Sequence, residues 1–444
     1  MYDDLTAAVR DGFPRAQAEL EELVRIPSVS APGFDPHEVR RSATRITELL
    51  EESGFSGVRL LEIEGAHPAV YAEIPAPHGA PTVLLYAHHD VQPPGPADEW
   101  ESAPFEPIVR DGRILGRGAA DDKAGVVMHL AAIRAFGGRV PVGVKVFMEG
   151  EEEIGSANLG AFLETYRDLL DADVIVIGDA GNWAVGTPAL TTSLRGLVDC
   201  IVEVRTLDGA VHSGMFGGVL PDAITALARV ISSLHNADGS VAVQGLVESP
   251  GGGLVLTEAE VRDQAGAIDG LRLIGEGGIT ERLWYKPAIS VLAIDAPSIG
   301  EAINQLVPVA RAKVSMRIAP GQDPNAALAA LKGHLEASVP WGAEITVTPG
   351  ALGDAFELDA SDDASVTFKE ALGIAYANDA VEMGGGGSIP FVAAFEEAYP
   401  KASILLTGVM DPTSQIHAPN ESQSLSDLES GILGEAIALR MLAD

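Results

Sequence analysis

The length, composition and charge of the chain exclude several classes of protein. At 444 residues the chain is longer than one compact core usually holds, so we expect two domains. Its net charge of −35 repels phosphate backbones and anionic headgroups, so neither nucleic-acid binding nor membrane-surface binding is expected. The sequence shows no signal peptide and no apolar run of the ~18 residues that span a bilayer, and its single cysteine cannot form an internal disulfide. We therefore expect a globular cytoplasmic protein.

The first part of the chain alternates between helical and strand patterns. Residues 14–25 and 37–53 carry apolar residues at helical spacing. Three apolar runs of strand character follow, with helical patterns at 123–136 and 157–170 between them; the runs are Pro81–Ala87, Val142–Met148 and Asp173–Ile177. Such alternation is typical of an α/β domain with a mixed, mostly parallel sheet and helices on both faces.

The pattern changes near Leu194. The next predicted elements are, in order, strand Leu197–Arg205, helix Pro221–Leu234, strands Ala288–Asp295 and Ala312–Ile318, helix Pro324–Ala337 and strand Glu344–Thr348. This order is that of a ferredoxin-like α+β unit, with residues 237–286 as an insertion. After about Gly350 the α/β pattern returns. We therefore predict one α/β domain in two parts, 1–194 and 351–444, with a smaller domain, 195–350, inserted between them.

Polar clusters directly follow the three apolar runs. His88–Asp90 follow the first run, Glu149–Glu153 follow the second, and Asp179 lies two residues after the third. Ligand-binding and catalytic groups of open α/β sheets collect beyond the carboxyl ends of the strands. The three clusters are therefore expected to form one site.

The residue types in these clusters are those of a metal site, although each has a simpler explanation. Side chains two residues apart on a strand point to the same side, so the Asp90 carboxylate can orient His88, as carboxylates orient zinc-binding histidines. The alternative is that His88 is a buried histidine at the end of a strand and Asp90 a capping aspartate. Of the neighbouring Glu152 and Glu153, one could bind a metal while the other acts as a base, or both could belong to a solvated acidic face. Asp179 is either an oxygen ligand or a turn former.

The segment Gly116–Asp121 (GRGAAD) nearly matches the dinucleotide-binding fingerprint. Its last position is Asp121, where that fingerprint needs Gly or Ala, and a carboxylate there would repel a pyrophosphate. Asp121 instead suits a cation and could bridge two metal ions, unless it only caps the following helix. Neither a G-x-S-x-G elbow nor a P-loop is found, so serine-hydrolase and P-loop functions have no support. His212 and His417 lie in loop-like segments with small neighbours, and Cys200 in a predicted strand is expected to pack in the core.

Eight short motifs occur in an order that resembles the M20 family of metallopeptidases, and within it the carnosine-type dipeptidases. They are AHHDVQP (87–93), GRGAADDK (116–123), EGEEEIGS (149–156), GDAGNW (178–183), VHSGMFGG (211–218), MRIAP (316–320), GGSIP (386–390) and SQIHAPNE (414–421). The resemblance covers most of the chain. It implies a catalytic α/β domain that binds metal and an inserted lid domain through which the protein forms a homodimer.

The resemblance also implies a role for each candidate residue. One metal ion would be bound by His88, Asp121 and Asp179, and a second by Asp121, Glu153 and His417. Asp90 would orient His88, and Glu152 would be the general base that takes a proton from water and passes it to the leaving amine. Mixed nitrogen and oxygen ligands fit two Zn²⁺ ions, with Mn²⁺ or Co²⁺ as alternatives.

Three further residues, His212 in the lid, Arg317 and Ser388, are expected to bind the substrate. His212 would stabilise the oxyanion of the tetrahedral intermediate in the active site of the partner subunit. Arg317 and Ser388 would bind a substrate carboxylate, unless Arg317 forms an ordinary surface pair and Ser388 lies in a flexible loop. The expected activity is metal-dependent hydrolysis of dipeptides or short peptides. The alternatives are a deacylase of N-acyl amino acids and a non-catalytic homologue, the latter disfavoured because the base and all five ligand residues are present.

Overall fold

The computed structural model describes residues 2–249, 251–358, 360–387 and 390–443. The chain forms two compact units. The first lies within 1–192, 358–383 and 390–444 of the sequence, and the second within 193–357 and 384–389. Residues 384–387, which the sequence pattern assigns to the α/β domain, therefore belong to the second unit, where the Arg195 amide donates a 3.2 Å hydrogen bond to the Gly385 carbonyl.

Several helices begin after a residue whose side chain caps the helix N-terminus. The Asp35 side chain accepts a hydrogen bond from the His37 amide, and a proline follows it in the first turn. The Ser424 side chain caps the last helix by accepting a hydrogen bond from the Asp427 amide. The helices are α1 (Asp3–Val24), α2 (Pro36–Glu52), α3 (Lys123–Arg134), α4 (Leu159–Thr165), α5 (Arg167–Leu170), α6 (Ser213–Phe216), α7 (Ala223–Ser232), α8 (Glu258–Gln264), α9 (Ile279–Trp284), α10 (Pro324–Ser338), α11 (Asp363–Tyr376), α12 (Pro390–Ala398) and α13 (Leu425–Met441). Among the described residues, none of these helices has both the length and the apolar character needed to cross a membrane.

The strands form several separate sheets. They are β1 (Ser56–Leu61), β2 (Ala69–Ile74), β3 (Thr82–His88), β4 (Ile108–Arg110), β5 (Arg113–Leu115), β6 (Gly143–Glu149), β7 (Val174–Ile177), β8 (Ala189–Leu194), β9 (Gly196–Arg205), β10 (Val211–His212), β11 (Ala288–Asp295), β12 (Gln305–Leu306), β13 (Val309–Ile318), β14 (Glu344–Gly353), β15 (Phe356–Glu357), β16 (Val381–Gly385), β17 (Ser403–Leu406) and β18 (Ser422–Ser424).

The first unit is built on a six-stranded sheet in the order β1-β2-β6-β3-β7-β17. β3 pairs in parallel with β6 and β7, and β17 pairs in parallel with β7. β1 and β2, which the sequence pattern does not predict, extend one edge in antiparallel pairing. The mixed, mostly parallel sheet is thus confirmed.

Helices cover both faces of this sheet because its strands are apolar on both sides. On one face Val83 and Leu85 of β3 join a core cluster that includes side chains of α1, α3 and α13. On the other face Tyr86, the residue between Leu85 and Ala87, packs its ring against Phe391 of α12 at a centroid distance of 4.8 Å. Such double coverage is what near-continuous apolar strands require.

The second unit contains a four-stranded antiparallel sheet in the order β11-β13-β9-β14. Side chains of β9 alternate, and Val198, Cys200, Val202 and Val204 are buried in a core shared with α7 and α10. The element order and the strand order are those of the ferredoxin-like unit. Cys200 is a buried packing residue, as predicted. The insertion at 237–286 carries the two short helices α8 and α9.

Candidate metal centre

The carboxyl ends of three neighbouring strands bring the predicted clusters together in the first unit. His88 is the last residue of β3 and lies opposite Glu149, the last residue of β6. Glu152 and Glu153 occupy a short 3₁₀ turn directly after β6, and Asp179 follows β7. Since β3, β6 and β7 run in parallel, their polar clusters meet at one edge of the sheet.

His88 is at the centre of this group and is fully buried. Its Nε2 lies 3.0 Å from Asp121 Oδ1, 3.8 Å from Asp179 Oδ2 and 3.9 Å from Glu152 Oε2. Its Nδ1 faces Asp90, at 3.1 Å from the carbonyl oxygen and 3.4 Å from Oδ1. One ring nitrogen therefore points into the carboxylate cluster, and the other is held by the neighbouring aspartate.

Asp90 also organises the turn that carries the two glutamates. Its carboxylate accepts hydrogen bonds from the backbone amides of Glu152 and Glu153, each at 3.1 Å, and from Ser30 Oγ at 2.6 Å. Gln92 donates two hydrogen bonds to the Glu153 carboxylate, one from its backbone amide at 3.1 Å and one from its side-chain Nε2 at 2.8 Å. The sequence analysis missed Ser30 and Gln92, since only three-dimensional contacts reveal partners of this kind; Gln92 does lie in the AHHDVQP motif.

Asp121 lies between two histidines. Its Oδ1 contacts His88, and its Oδ2 lies 2.9 Å from His417 Nε2. The same His417 nitrogen is 3.2 Å from Glu153 Oε2, and the His417 side chain is 54% exposed. The loop residue His417 is thus joined to the strand-end clusters through one shared carboxylate.

The donor atoms form two overlapping groups. His88, Glu152 and Asp179 offer one atom each within 4.8 Å of one another, and so do His88, Asp121 and Glu153. Imidazole nitrogens with carboxylate oxygens are the donor set of Zn²⁺, Mn²⁺ and Co²⁺ sites. These residues can therefore hold divalent cations.

The charges of the cluster also fit a cation. Burial, together with repulsion from neighbouring carboxylates, holds the pKa of Asp179 well above its usual range. Burial likewise raises the pKa of Glu152 to about 7, with Glu153 and Asp121 adding repulsion. Burial opposes the charged form of His88, but its hydrogen bonds to Asp121 and Asp90 raise its pKa well above the usual range. Carboxylates forced this close favour a positive charge among them.

Two of the three predicted substrate contacts, His212 and Arg317, belong to the second unit. His212, at the end of β10, is exposed, and its Nδ1 accepts a 3.1 Å hydrogen bond from the Gly214 amide. Arg317 lies on β13 opposite Leu197 and Ala288, and burial lowers the pKa of its guanidinium. Ser388 lies outside the described residues.

With this geometry, comparison with known proteins becomes informative. Residues 84–437 match peptidase family M20/M25/M40. This chain belongs to that family. The M20 peptidase is 36% identical over 427 residues to a cysteinylglycine-S-conjugate dipeptidase of Corynebacterium striatum, which covers 94% of this chain and 93% of the relative. It is 27% identical to the human β-Ala-His dipeptidase, over 80% of this chain and 73% of that protein.

Solved structures show the same fold. Human carnosine dipeptidase 1 superposes with a TM-score of 0.81 at 24% identity and covers 99% of this chain and 98% of its own. An M20 metallo-carboxypeptidase from Sulfolobus solfataricus superposes with a TM-score of 0.78 at 27% identity, over 96% of this chain and 99% of its own. The predicted fold class and family are confirmed, and the protein is a metal-dependent peptidase.

Proposed function

We propose that this peptidase hydrolyses the amide bond of dipeptides or short peptides with two bound divalent metal ions, preferably Zn²⁺. One observation carries the proposal: the two carboxylate oxygens of Asp121 face His88 and His417 at 3.0 and 2.9 Å, as a carboxylate shared by two ions would. The names of the Corynebacterium and human relatives, both dipeptidases, support the substrate class.

Five residues of the first unit would hold the ions. His88, Asp121 and Asp179 would bind one, and Asp121, Glu153 and His417 the other. Bound divalent ions supply Lewis-acid polarisation of a carbonyl group and of a water molecule.

Glu152 is the general base in this proposal. Its carboxylate accepts a proton from the attacking water and returns it to the leaving amine. Burial raises the pKa of Glu152, with repulsion from Glu153 and Asp121 adding to it, and a raised pKa makes a carboxylate a stronger proton acceptor. Asp90 would keep the base and the ligands in fixed positions relative to one another. It contacts His88, and its carboxylate accepts hydrogen bonds from the backbone amides of Glu152 and Glu153.

The remaining roles concern the binding of the substrate and of the oxyanion. Arg317 and Ser388 would bind the carboxylate at the end of the peptide, as arginine and hydroxyl donors commonly do. His212 would donate to the oxyanion in the active site of a partner subunit. A histidine that acts in a second copy of the chain must lie at an exposed surface, and His212 does.

The surroundings of His212 support a homodimer. β10 pairs with β12, and the segments that flank this pair, 213–220 and 299–304, expose large apolar side chains. Met215, Val219 and Ile303 are 74%, 85% and 71% exposed. We call these two segments with His212 the His212 patch. Apolar surface concentrated in this way is typical of protein–protein interfaces, and a twofold dimer would cover one patch on each chain.

Metal analysis and a substrate panel test the proposal. Purified protein should contain two divalent ions per chain, lose hydrolysis after exhaustive chelation and regain it when Zn²⁺, Mn²⁺ or Co²⁺ is restored. Metal-loaded enzyme should cleave dipeptides faster than N-acyl amino acids. A metal-free protein whose activity survives chelation contradicts the metal centre, and a preference for N-acyl amino acids identifies a deacylase instead.

A further inference from the structure

A buried ion pair lies directly behind the shared aspartate. Arg117 and Glu421 are 1% and 0% exposed, and Arg117 Nη1 donates to Glu421 Oε2 at 2.6 Å. The two residues are 304 positions apart in the sequence. Removing two charges from water costs several kcal/mol per ion, which their attraction offsets only if further hydrogen bonds satisfy them. The remaining bonds of this pair therefore indicate what it does.

Glu421 uses its second oxygen on the segment that carries Asp121. Glu421 Oε1 accepts hydrogen bonds from the backbone amides of Ala120 and Asp121, at 3.0 and 3.1 Å. The backbone of Asp121 is thus held on one side while its carboxylate faces His88 and His417 on the other.

Arg117 uses a second nitrogen on the segment that carries His417. Its Nη2 donates to the carbonyl oxygens of Ala418, next to His417, and of Pro93, at 3.4 and 3.3 Å. Arg117 also stacks on Trp100, with 5.5 Å from its guanidinium carbon to the ring centroid. The two side chains together contact both segments from which His417 and Asp121 extend.

Regular backbone pairing ends just before these ligands. β5 and β18 pair at Leu115 and Ser422, and the Gly116 amide donates to the Glu421 carbonyl at 2.9 Å. Beyond that point the chain of His417 turns sharply, and its φ is +61°, a left-handed conformation that few non-glycine residues adopt. Such a conformation is strained and persists only where surrounding contacts enforce it.

We propose that Arg117 and Glu421 are positioning residues that hold Asp121 and His417 at the separation needed to share one divalent ion. The inference rests on the proposed roles of Asp121 and His417 as ligands. Neither positioning residue touches the substrate or the ion. Beyond Gly116, where the backbone pairing of the two segments ends, the side chains of Arg117 and Glu421 connect the segments instead. These contacts hold Asp121 and His417 in fixed positions relative to each other.

Metal affinity, measured apart from activity, tests this inference. Chelated protein is titrated with Co²⁺, whose visible absorption reports ligand geometry, and the dissociation constant of each site is determined for wild type, Glu421→Gln and Arg117→Lys. Partners behind metal ligands typically change affinity by about 10–100-fold when mutated, and we expect a weakening in that range at one site, with an altered spectrum. Arg117→Lys, which keeps the charge, should bind Co²⁺ more tightly than Arg117→Met.

A second buried ion pair supplies the control. His129 Nδ1 and Glu435 Oε2 are 2.6 Å apart, both side chains are buried, and the pair joins α3 to α13. Glu435→Gln should lower thermal stability of the metal-free protein, monitored by circular dichroism, at least as much as Glu421→Gln, yet leave both Co²⁺ constants and the spectrum unchanged.

The outcomes separate this inference from the proposed function. Wild-type protein that binds no Co²⁺ contradicts the metal centre and the inference together. Wild-type binding of two ions, with unchanged affinity in Glu421→Gln and Arg117→Lys, contradicts the inference alone. An equal loss of affinity in Glu435→Gln shows that the pair only stabilises the fold. If Glu421→Gln does not fold, the milder series Arg117→Lys and Arg117→Met decides the matter.

Discussion

Two histidines, one in each unit, have opposite environments. His88 is fully buried, and both of its ring nitrogens face oxygen atoms of neighbouring residues. His212 is exposed, and its Nδ1 accepts from a backbone amide two residues along the chain. The first unit therefore surrounds its histidine with contacts from its own residues. The second unit instead leaves its histidine exposed at the surface.

The two histidines therefore differ in what a substitution beside them would change. Around His88, the carboxylates of Asp90 and Asp121 each contact several groups, so that a substitution of either one alters several contacts at once. Around His212 the effect of a substitution depends on what covers the surface. The four predictions that follow test this contrast.

The largest effect is expected inside the buried cluster, from a change in the proposed general base. Glu152→Gln should lower kcat by about 10²–10⁴-fold, the usual contribution of a positioned base, while metal content stays near that of wild type. Glu153→Gln should instead lose metal, because it removes the carboxylate beside His417. Steady-state kinetics with elemental analysis measures both.

Glu151 provides a matched control in the same acidic run. Glu151 is buried, and its carboxylate accepts hydrogen bonds from the backbone amides of His67 and Asn158. Glu151→Gln should keep both metal content and kcat close to wild type. The reverse pattern, with metal lost in Glu152→Gln and kept in Glu153→Gln, would exchange the roles of the two glutamates.

The next effect concerns His212. His212→Ala should reduce kcat by about 10²–10³-fold, as loss of one oxyanion donor does, with metal content unchanged. If His212 acts in the partner subunit, exchange of subunits between inactive His212→Ala and inactive Glu152→Gln should restore activity, because one site of the heterodimer has both residues intact. His334→Ala, a change to another histidine of the second unit, should have little effect. Confirmed exchange without recovery shows that His212 acts in its own chain or not at all.

A smaller effect is expected from a charge in the His212 patch. Val219→Glu places an unpaired carboxylate on surface that the proposed dimer buries, which should weaken dimerisation by about 10²-fold. Analytical ultracentrifugation across a concentration series measures it. Val255→Glu, at a valine that is 79% exposed in the 237–286 insertion, is the control. A wild-type monomer at all concentrations, or equal dissociation in both variants, argues against the patch as the interface.

The smallest effect is a change in stability confined to the second unit. Asp222 caps α7 by accepting from the Thr225 amide at 2.8 Å, so Asp222→Ala should lower the free energy of unfolding by about 1 kcal/mol. Urea unfolding measures it, and Asp222→Asn, which keeps a capping oxygen, should be nearly neutral. Metal content should not change in either variant. Metal loss in Asp222→Ala would show that the two units are not independent in this respect.

Local patterns in the sequence predicted much of the fold and the grouping of polar residues. Apolar runs ending in polar clusters placed His88, Glu152, Glu153 and Asp179 at one sheet edge, because parallel strands share the position of their ends. The antiparallel strands β1 and β2 were missed, since both are short and neither shows a regular alternation of polar and apolar residues.

Other contacts had no local signal at all. Ser30 contacts Asp90 across 60 residues, and Arg117 contacts Glu421 across 304, so no spacing rule connects them. Both residues of the latter pair lie in motifs that were noted for their neighbours Asp121 and His417. Periodicity shows which residues share a face of one element, but it does not show which distant segments fold against each other.

The first unit is assembled from segments that the ribosome makes at very different times. Synthesis runs from the N-terminus, and domains tend to fold as soon as their residues emerge. The segment 193–357 of the second unit is complete before β17 and His417 have been translated. A nascent chain can therefore carry a folded segment 193–357 while the central sheet of the first unit still lacks β17 and the carboxylate cluster still lacks His417. Peptide hydrolysis that depends on His417 would thus begin only when almost the whole polypeptide has been made.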